Sequence, residues 1–183
     1  MKKRLFLLFV MAAGIFALTG CSDSMGLDVY LTSETTTTVV ERGIAPTTET
    51  VTALNVTLTG WEVHQSSAGT DSGWVSLSTP SGAIDLMQIR NLEELLSSSE
   101  IEEGNYNQIR FYVNTCQVTT ESGTYDAEVP STKINIATQF VVASGDMTEL
   151  VLSIDPEASL NVTGNDKYKM QPVIHVKRIK NPN

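Results

Sequence analysis

The sequence predicts an all-β fold, an antiparallel β-sandwich of the transthyretin-like or immunoglobulin-like kind with one short helix. Three observations carry that expectation. Serine and threonine supply 39 of the 183 residues, while charged residues make up only 18%, a balance that suits strands and turns better than long helices. Apolar residues alternate with polar ones in several segments separated by Gly, Pro and Ser, the period of half-buried strands. Only one segment spaces its apolar residues as a helix does.

The first twenty residues stand apart from the fold. Lys2, Lys3 and Arg4 form a basic start, and Leu5 to Leu18 is an uncharged, mostly apolar run. It is shorter than the roughly 20 apolar residues that a membrane-spanning helix needs, so it reads as a secretory signal. The run ends in Leu18-Thr19-Gly20-Cys21, a match to the bacterial lipobox. Leu18, Thr19 and Gly20 are the expected signal-peptidase recognition residues. Cys21 is the expected lipidation site, taking diacylglycerol on its thiol and a fatty acyl chain of the palmitate class on its freed amine. Each buried methylene contributes about 0.8 kcal/mol, so two or three chains hold a protein to a bilayer durably. Ser22 after the cysteine fits transport to the outer membrane if the host has one, otherwise to the outer face of the plasma membrane.

Cleavage before Cys21 removes three basic and no acidic residues. Nine basic residues then face 21 acidic ones, a formal charge of −12. Such a chain offers phosphate no counterion-release attraction, which argues against nucleic-acid binding. Anionic lipid does not attract it either, so the acyl chains are its expected link to the membrane.

A tether over 21–25 leads into Gly26 to Thr32, where Leu27, Val29 and Leu31 share one face. Residues 33–50 lack periodicity and contain Thr35 to Thr38 and Thr47-Thr48, which predicts a polar threonine-rich insertion. Val51 to Gln65 is the clearest strand. Its apolar parity changes from Leu54, Val56 and Leu58 to Trp61 and Val63, with Gly60 at the change, which predicts a bulge there. A turn over Ser66 to Gly73 precedes strands at Gly73 to Ser78 and Ala83 to Met87.

Ile89, Leu92, Leu95 and Leu96 recur at helical spacing, so the one short helix is expected over Gln88 to Ser97. Tyr106 to Thr120 is a long strand that turns at Glu121-Ser122-Gly123 into Thr124 to Val129. Strands follow at Ile134 to Val142 and Thr148 to Asp155. A last one runs from Tyr168 to Arg178, where Pro172 argues for an edge position or a bulge. These eight or nine strands form one domain over 26–178, with 179–183 as a C-terminal tail.

The search for chemistry returns little. With Cys21 lipidated, Cys116 is left alone inside a strand, where a buried small hydrophobe is favoured over a reactive thiol. His64 and His175 lie far apart in sequence, and no Gly-x-Ser-x-Gly elbow, His-Glu-x-x-His or phosphate-binding glycine loop accompanies them. The acidic groups Glu93-Glu94, Glu100 to Glu103, and Asp155, Glu157 and Asp166 lack EF-hand spacing, and are read as solvated surface. Trp61, Trp74, Tyr106 and Tyr112 are candidates for a carbohydrate-stacking platform, although Trp61 has core parity. No metal, no cofactor and no catalytic residue is expected.

Several ordered phrases resemble one family. They include Leu27-Asp28-Val29-Tyr30-Leu31-Thr32, Ala53-Leu54-Asn55-Val56-Thr57-Leu58-Thr59-Gly60-Trp61-Glu62-Val63-His64 and Gly73-Trp74-Val75-Ser76-Leu77. Gly104-Asn105-Tyr106-Asn107-Gln108-Ile109-Arg110 and Met170-Gln171-Pro172-Val173-Ile174 continue the series. Over about residues 26 to 178 the chain resembles the bacterial lipoprotein family catalogued as domain of unknown function 4382. The resemblance implies a small β-sandwich and no assigned activity. The chain departs from the family pattern at Ser33, at Asn114, and at Ile154-Asp155-Pro156, where relatives carry acidic residues. A cation site built from those acids would be incomplete here.

The functional expectation is a lipid-anchored, non-enzymatic binding or assembly module of the cell envelope, with an unknown protein or glycan as ligand. A surface adhesin or pilus-associated subunit is the alternative. A polysaccharide or peptide hydrolase ranks third, since it needs two acids or a Ser–His pair in a cleft.

Overall fold

The computed structural model describes residues 25–34, 50–163 and 167–181. Leu18, Thr19, Gly20, Cys21, Asp166 and nearly all of the threonine-rich insertion lie outside that set.

Two long strands form the spine, because each alternates apolar and polar residues over its whole length. They are β2 (Val51–Gln65) and β6 (Gly104–Thr120), paired antiparallel. Between them β3 (Trp74–Leu77), β4 (Ala83–Asp85) and β5 (Glu94–Glu100) follow in the chain. Strands β3 and β4 lie along the free side of β2. The other side of β6 carries β7 (Gly123–Glu128) and β8 (Lys133–Val142).

The register of β2 against β6 slips around Leu58 and Gly60, and Leu54, Val56, Leu58, Trp61 and Val63 are all buried. The expected bulge is therefore present, and it returns the apolar residues to one face. The Tyr112 ring lies over Gly60, where a Cβ would come within 3.3 Å of it.

The second sheet is built around β1 (Gly26–Ser33), in the order β12-β9-β1-β5. Strand β9 (Met147–Asp155) pairs parallel with β1, and β5 pairs antiparallel on the other side. The eight-stranded sheet continues past β7 through β11 (Lys167–Met170) and β10 (Leu160–Thr163), with β11 parallel to β7. Both sheets are thus mixed rather than purely antiparallel, and twelve strands are present among the described residues. Their inner faces enclose a core with Leu27, Val29, Ile109, Phe111, Leu150 and Leu152, giving the expected all-β sandwich. Trp61 packs against Phe111 with ring centroids 5.0 Å apart.

The expected helix over Gln88 to Ser97 is not formed. Residues 86–91 make turns, and the chain then enters β5, which pairs with β1. Leu96 and Ile89 are buried, but Leu92 is 61% and Leu95 49% exposed, so the helical spacing was not one packed face. The physical reasons are local and tertiary. Asn91 adopts a left-handed φ of 59°, which interrupts a right-handed helix. A ten-residue helix is also marginal alone, whereas β1 supplies a ladder of partners.

The only described helix is α1 (Pro156–Ser159). Asp155 caps it by accepting from the Ala158 N–H at 2.9 Å, and Pro156 opens it. Its start signal, Asp-Pro-Glu, is the usual N-terminal combination of cap, proline and acid.

The last expected strand is two strands in two sheets. Strand β11 ends at Met170, and β12 (Val173–Lys180) pairs with β9 in the other sheet. Pro172 lies at the crossover, where its missing N–H interrupts no ladder. Strand β12 does occupy a sheet edge and does carry a bulge, between Val176 and Arg178. It also runs through Ile179 and Lys180, into the expected tail.

Serines bind one pair of sheet edges together. The Ser78 N–H, just beyond β3, donates to Ser99 Oγ on β5 at 2.8 Å, and the Ser78 hydroxyl donates to Ser98 O at 3.0 Å.

Candidate functional site

Two features distinguish the surface. One is a polar and aromatic cluster on the outer face of the eight-stranded sheet. The bulge in β2 turns Trp61 and Val63 inward, so Glu62 and His64 point outward. Alternation in β6 places Arg110 and Tyr112 beside them, and His64 is opposite Trp74 of β3.

The Arg110 side chain pairs with Glu62 and stacks 3.6 Å above the centre of the Trp74 ring. The Tyr112 hydroxyl donates to the same Glu62 oxygen at 2.8 Å. These bonds cross β3, β2 and β6 and occupy the guanidinium on several sides. The Arg110 hydrogen bond, ahead of an opposing effect of burial, holds the Glu62 carboxyl below its ordinary value, and Tyr112 adds to this. The Glu62 hydrogen bond in turn raises the Tyr112 hydroxyl.

A stability consequence follows. A carboxyl lowered in the folded state stabilises the fold above its unfolded value near 4.5. That contribution is lost as pH falls through the folded value. Glu62→Gln should cost about 1–2 kcal/mol at neutral pH. Urea unfolding should show the loss shrinking as pH drops from about 5 toward 3; an undiminished loss at pH 3 would show that charge plays no part.

His64 is buried in the same cluster. Its Nε2–H donates to Gly69 O at 3.0 Å, and its Nδ1 lies 2.9 Å from Asn107 Oδ1. Its ring meets the Trp74 ring edge-on, with centroids 4.9 Å apart. These contacts tie the 66–73 turn to the sheet and leave the imidazole no substrate-facing nitrogen. His175 is exposed on β12, in the other sheet. The structure does not bring the two histidines together on one strand pair.

The second feature is an apolar groove of about 200 Å³ lined by Val51, Leu54, Met87, Pro156, Glu157, Leu160 and Val162. It lies where β2 begins and α1 leads into β10. Strand β10 is terminal in its sheet among the described residues, so its apolar side chains line the groove beside an open edge. Chemically the groove suits an apolar side chain, and its described lining residues include no acid–base pair.

The remaining sequence candidates fall as follows. Cys116 is 2% exposed, and burial pushes its thiol up to about 11, as befits an inert core thiol. The four-aromatic platform is not assembled. Trp61 and Tyr106 are each only 1% exposed, because both alternate onto the core side. Trp74 and Tyr112 do share the outer face, but Arg110 lies between them. Glu93 pairs with Arg178, Glu157 with Arg90, and Asp155 caps α1. Among the described residues no group of three or more His, Cys, Asp or Glu side chains is placed to hold a metal ion.

The groove and the Glu62–Arg110 cluster were missed in the sequence. The alternation that turns Glu62, Arg110 and Tyr112 to one face was legible, but which strands are neighbours was not. The groove has no sequence signal, since its walls come from β2, the 86–89 turn, α1 and β10.

A two-sheet sandwich with a stapled outer face and an apolar end groove defines the class of protein, a β-sandwich domain. Over residues 29–172 the chain matches the model of the family described as Domain of unknown function (DUF4382), and it belongs to that family. No curated protein and no solved structure matched the chain.

Proposed function

We propose that this protein is a lipid-anchored lipoprotein of the cell envelope that serves as a non-enzymatic binding or assembly module. The observation that carries this reading is the placement of Leu18-Thr19-Gly20-Cys21. It follows a basic and apolar leader directly, and it stands five residues before the first strand of the family domain. Acyl chains on Cys21 would be the membrane link, and the partner an unknown protein or glycan rather than nucleic acid. Outer-membrane placement, in a host that has one, rests on Ser22.

Mass spectrometry of the protein extracted from cells should find acylated Cys21 as its N-terminus. Cys21→Ala should abolish co-flotation with membranes. An uncleaved or unacylated chain overturns the anchoring.

The non-enzymatic part is supported by the engagement of His64 within its own sheet and by the apolar lining of the groove. An adhesin or pilus-type subunit is favoured by one observation, the terminal position of β10 among the described residues, beside that groove. An added strand could pair with β10 and drop alternate side chains into it. Concentration-dependent assembly would distinguish that reading from a monomeric module.

A further inference from the structure

The apolar groove has a counterpart near its own rim. Leu92 is 61% exposed, the most open large apolar side chain among the described residues. A lone exposed leucine is ordinary, but this one is mounted firmly. Its N–H donates to Ile89 O at 3.0 Å, and the Asn91 N–H donates to Ser33 O at 3.0 Å. Ile89 itself is buried. The 89–92 turn is thus tied to the end of β1, and it presents Leu92 as a fixed knob whose docking costs little ordering.

Arg90 joins this knob to the groove. Two residues before Leu92, its Nη2 lies 3.4 Å from Glu157 Oε1 and 3.7 Å from Met87 Sδ. Both of those residues line the groove, and Glu157 is the charged member of its described lining. The Arg90 and Glu157 side chains are well exposed, so their pair stands in solvent, where such a bridge contributes little to the fold. One continuous patch therefore holds an apolar knob, an apolar hole, a cation and an anion. Arg90 also bridges to Ser33, at the opposite end of β1 from Gly26, which places the patch roughly 25 Å from the start of that strand.

Such a patch is complementary to itself. A two-fold axis brings a surface against its own copy, so a self-pairing surface must carry both members of every contact. We propose that this face pairs two copies of the chain, with Leu92 of each copy seated in the groove of the other and Arg90 of each facing Glu157 of the other. Because knob and hole share one patch, the contact closes at two copies, whereas on separate faces it would run on into a filament. The proposal deepens the assembly reading above by naming the partner, and it rests on that reading but not on the lipid anchor. A contact built from one turn and one groove belongs with the small, weakly bound interfaces, with a Kd of about micromolar or above.

Analytical ultracentrifugation of the mature protein in a density-matched detergent tests this from about 10 μM to about 1 mM. A reversible equilibrium between monomer and dimer is expected. Leu92→Asp should weaken it about tenfold or more, and its circular dichroism should match the unaltered protein because Leu92 is exposed. Arg90→Glu makes the patch acidic at both charged positions, and Glu157→Arg makes it basic at both. Each of these variants alone should stay monomeric, because its patch repels its own copy. Their equimolar mixture should form the dimer again, because both cross-copy pairs then join opposite charges. A dimer that tolerates Leu92→Asp, or a mixture that associates no better than the separate variants, overturns this face as the contact. Growth beyond two copies overturns the closed pair while leaving assembly standing. Monomers alone at every concentration overturn the assembly reading itself, so the two fail separately.

Discussion

Replacing Trp61 with alanine should be among the most damaging single changes to this fold, costing about 3–5 kcal/mol. Trp61 is only 1% exposed, packs on Phe111, and belongs to the layer between the sheets. Its neighbours come from long paired strands that cannot close over a void without breaking the β2–β6 register, so the cavity persists. That loss is a large part of the 5–15 kcal/mol that domains possess in total. Urea unfolding should show a markedly lower midpoint with an unchanged slope, the sign of lost stability rather than altered compactness. A loss below about 1 kcal/mol would mean that the core collapses around the gap, contrary to the rigid packing described. Trp61→Phe should recover part of the loss, because it restores ring volume beside Phe111.

Gly26→Ala should be the second large effect, and it acts by crowding rather than by a cavity. The added methyl meets the Ser99 carbonyl and the Glu100 backbone, which β1–β5 pairing holds in place. Overpacking of this kind costs about 1–3 kcal/mol, and a backbone obstacle places it toward the upper part of that range. Amide hydrogen exchange should localise the damage to β1 and β5, whereas β2 and β6 should retain their protection. Uniform loss of protection across both sheets would contradict this assignment.

Particular elements show why the chain was partly readable. The bulge at Gly60 was visible because a one-residue parity change is a local fact about a single strand. The long strand expected over Tyr106 to Thr120 was visible from its own alternation, and it begins two residues earlier, at Gly104. Residues 88–97 misled because helical spacing and strand alternation are hard to tell apart over so short a run. The left-handed Asn91 and the open side of β1, neither of them a matter of spacing, settled it. Asp155-Pro156-Glu157 carries a sound helix-start signal, although the expectation for these acids is solvated surface. The Gln171-Pro172 break was visible, but not that β11 and β12 belong to different sheets.

Among the site candidates, the burial of Trp61 and Cys116 followed from alternation alone. The staple of Glu62, Arg110, Tyr112 and Trp74 did not, because its members come from three strands. The lipobox remains a statement about sequence chemistry, outside the described residues.

The all-β class, the bulge and the inward faces of β1, β2 and β6 came from residue order, since a strand's two faces are set by a period of two along one chain. The parallel pairing of β1 with β9, the passage of β12 to the other sheet and the walls of the groove came from packing. Those features depend on which distant segments bury one another's apolar faces, and alternation within a segment carries no information about its partner.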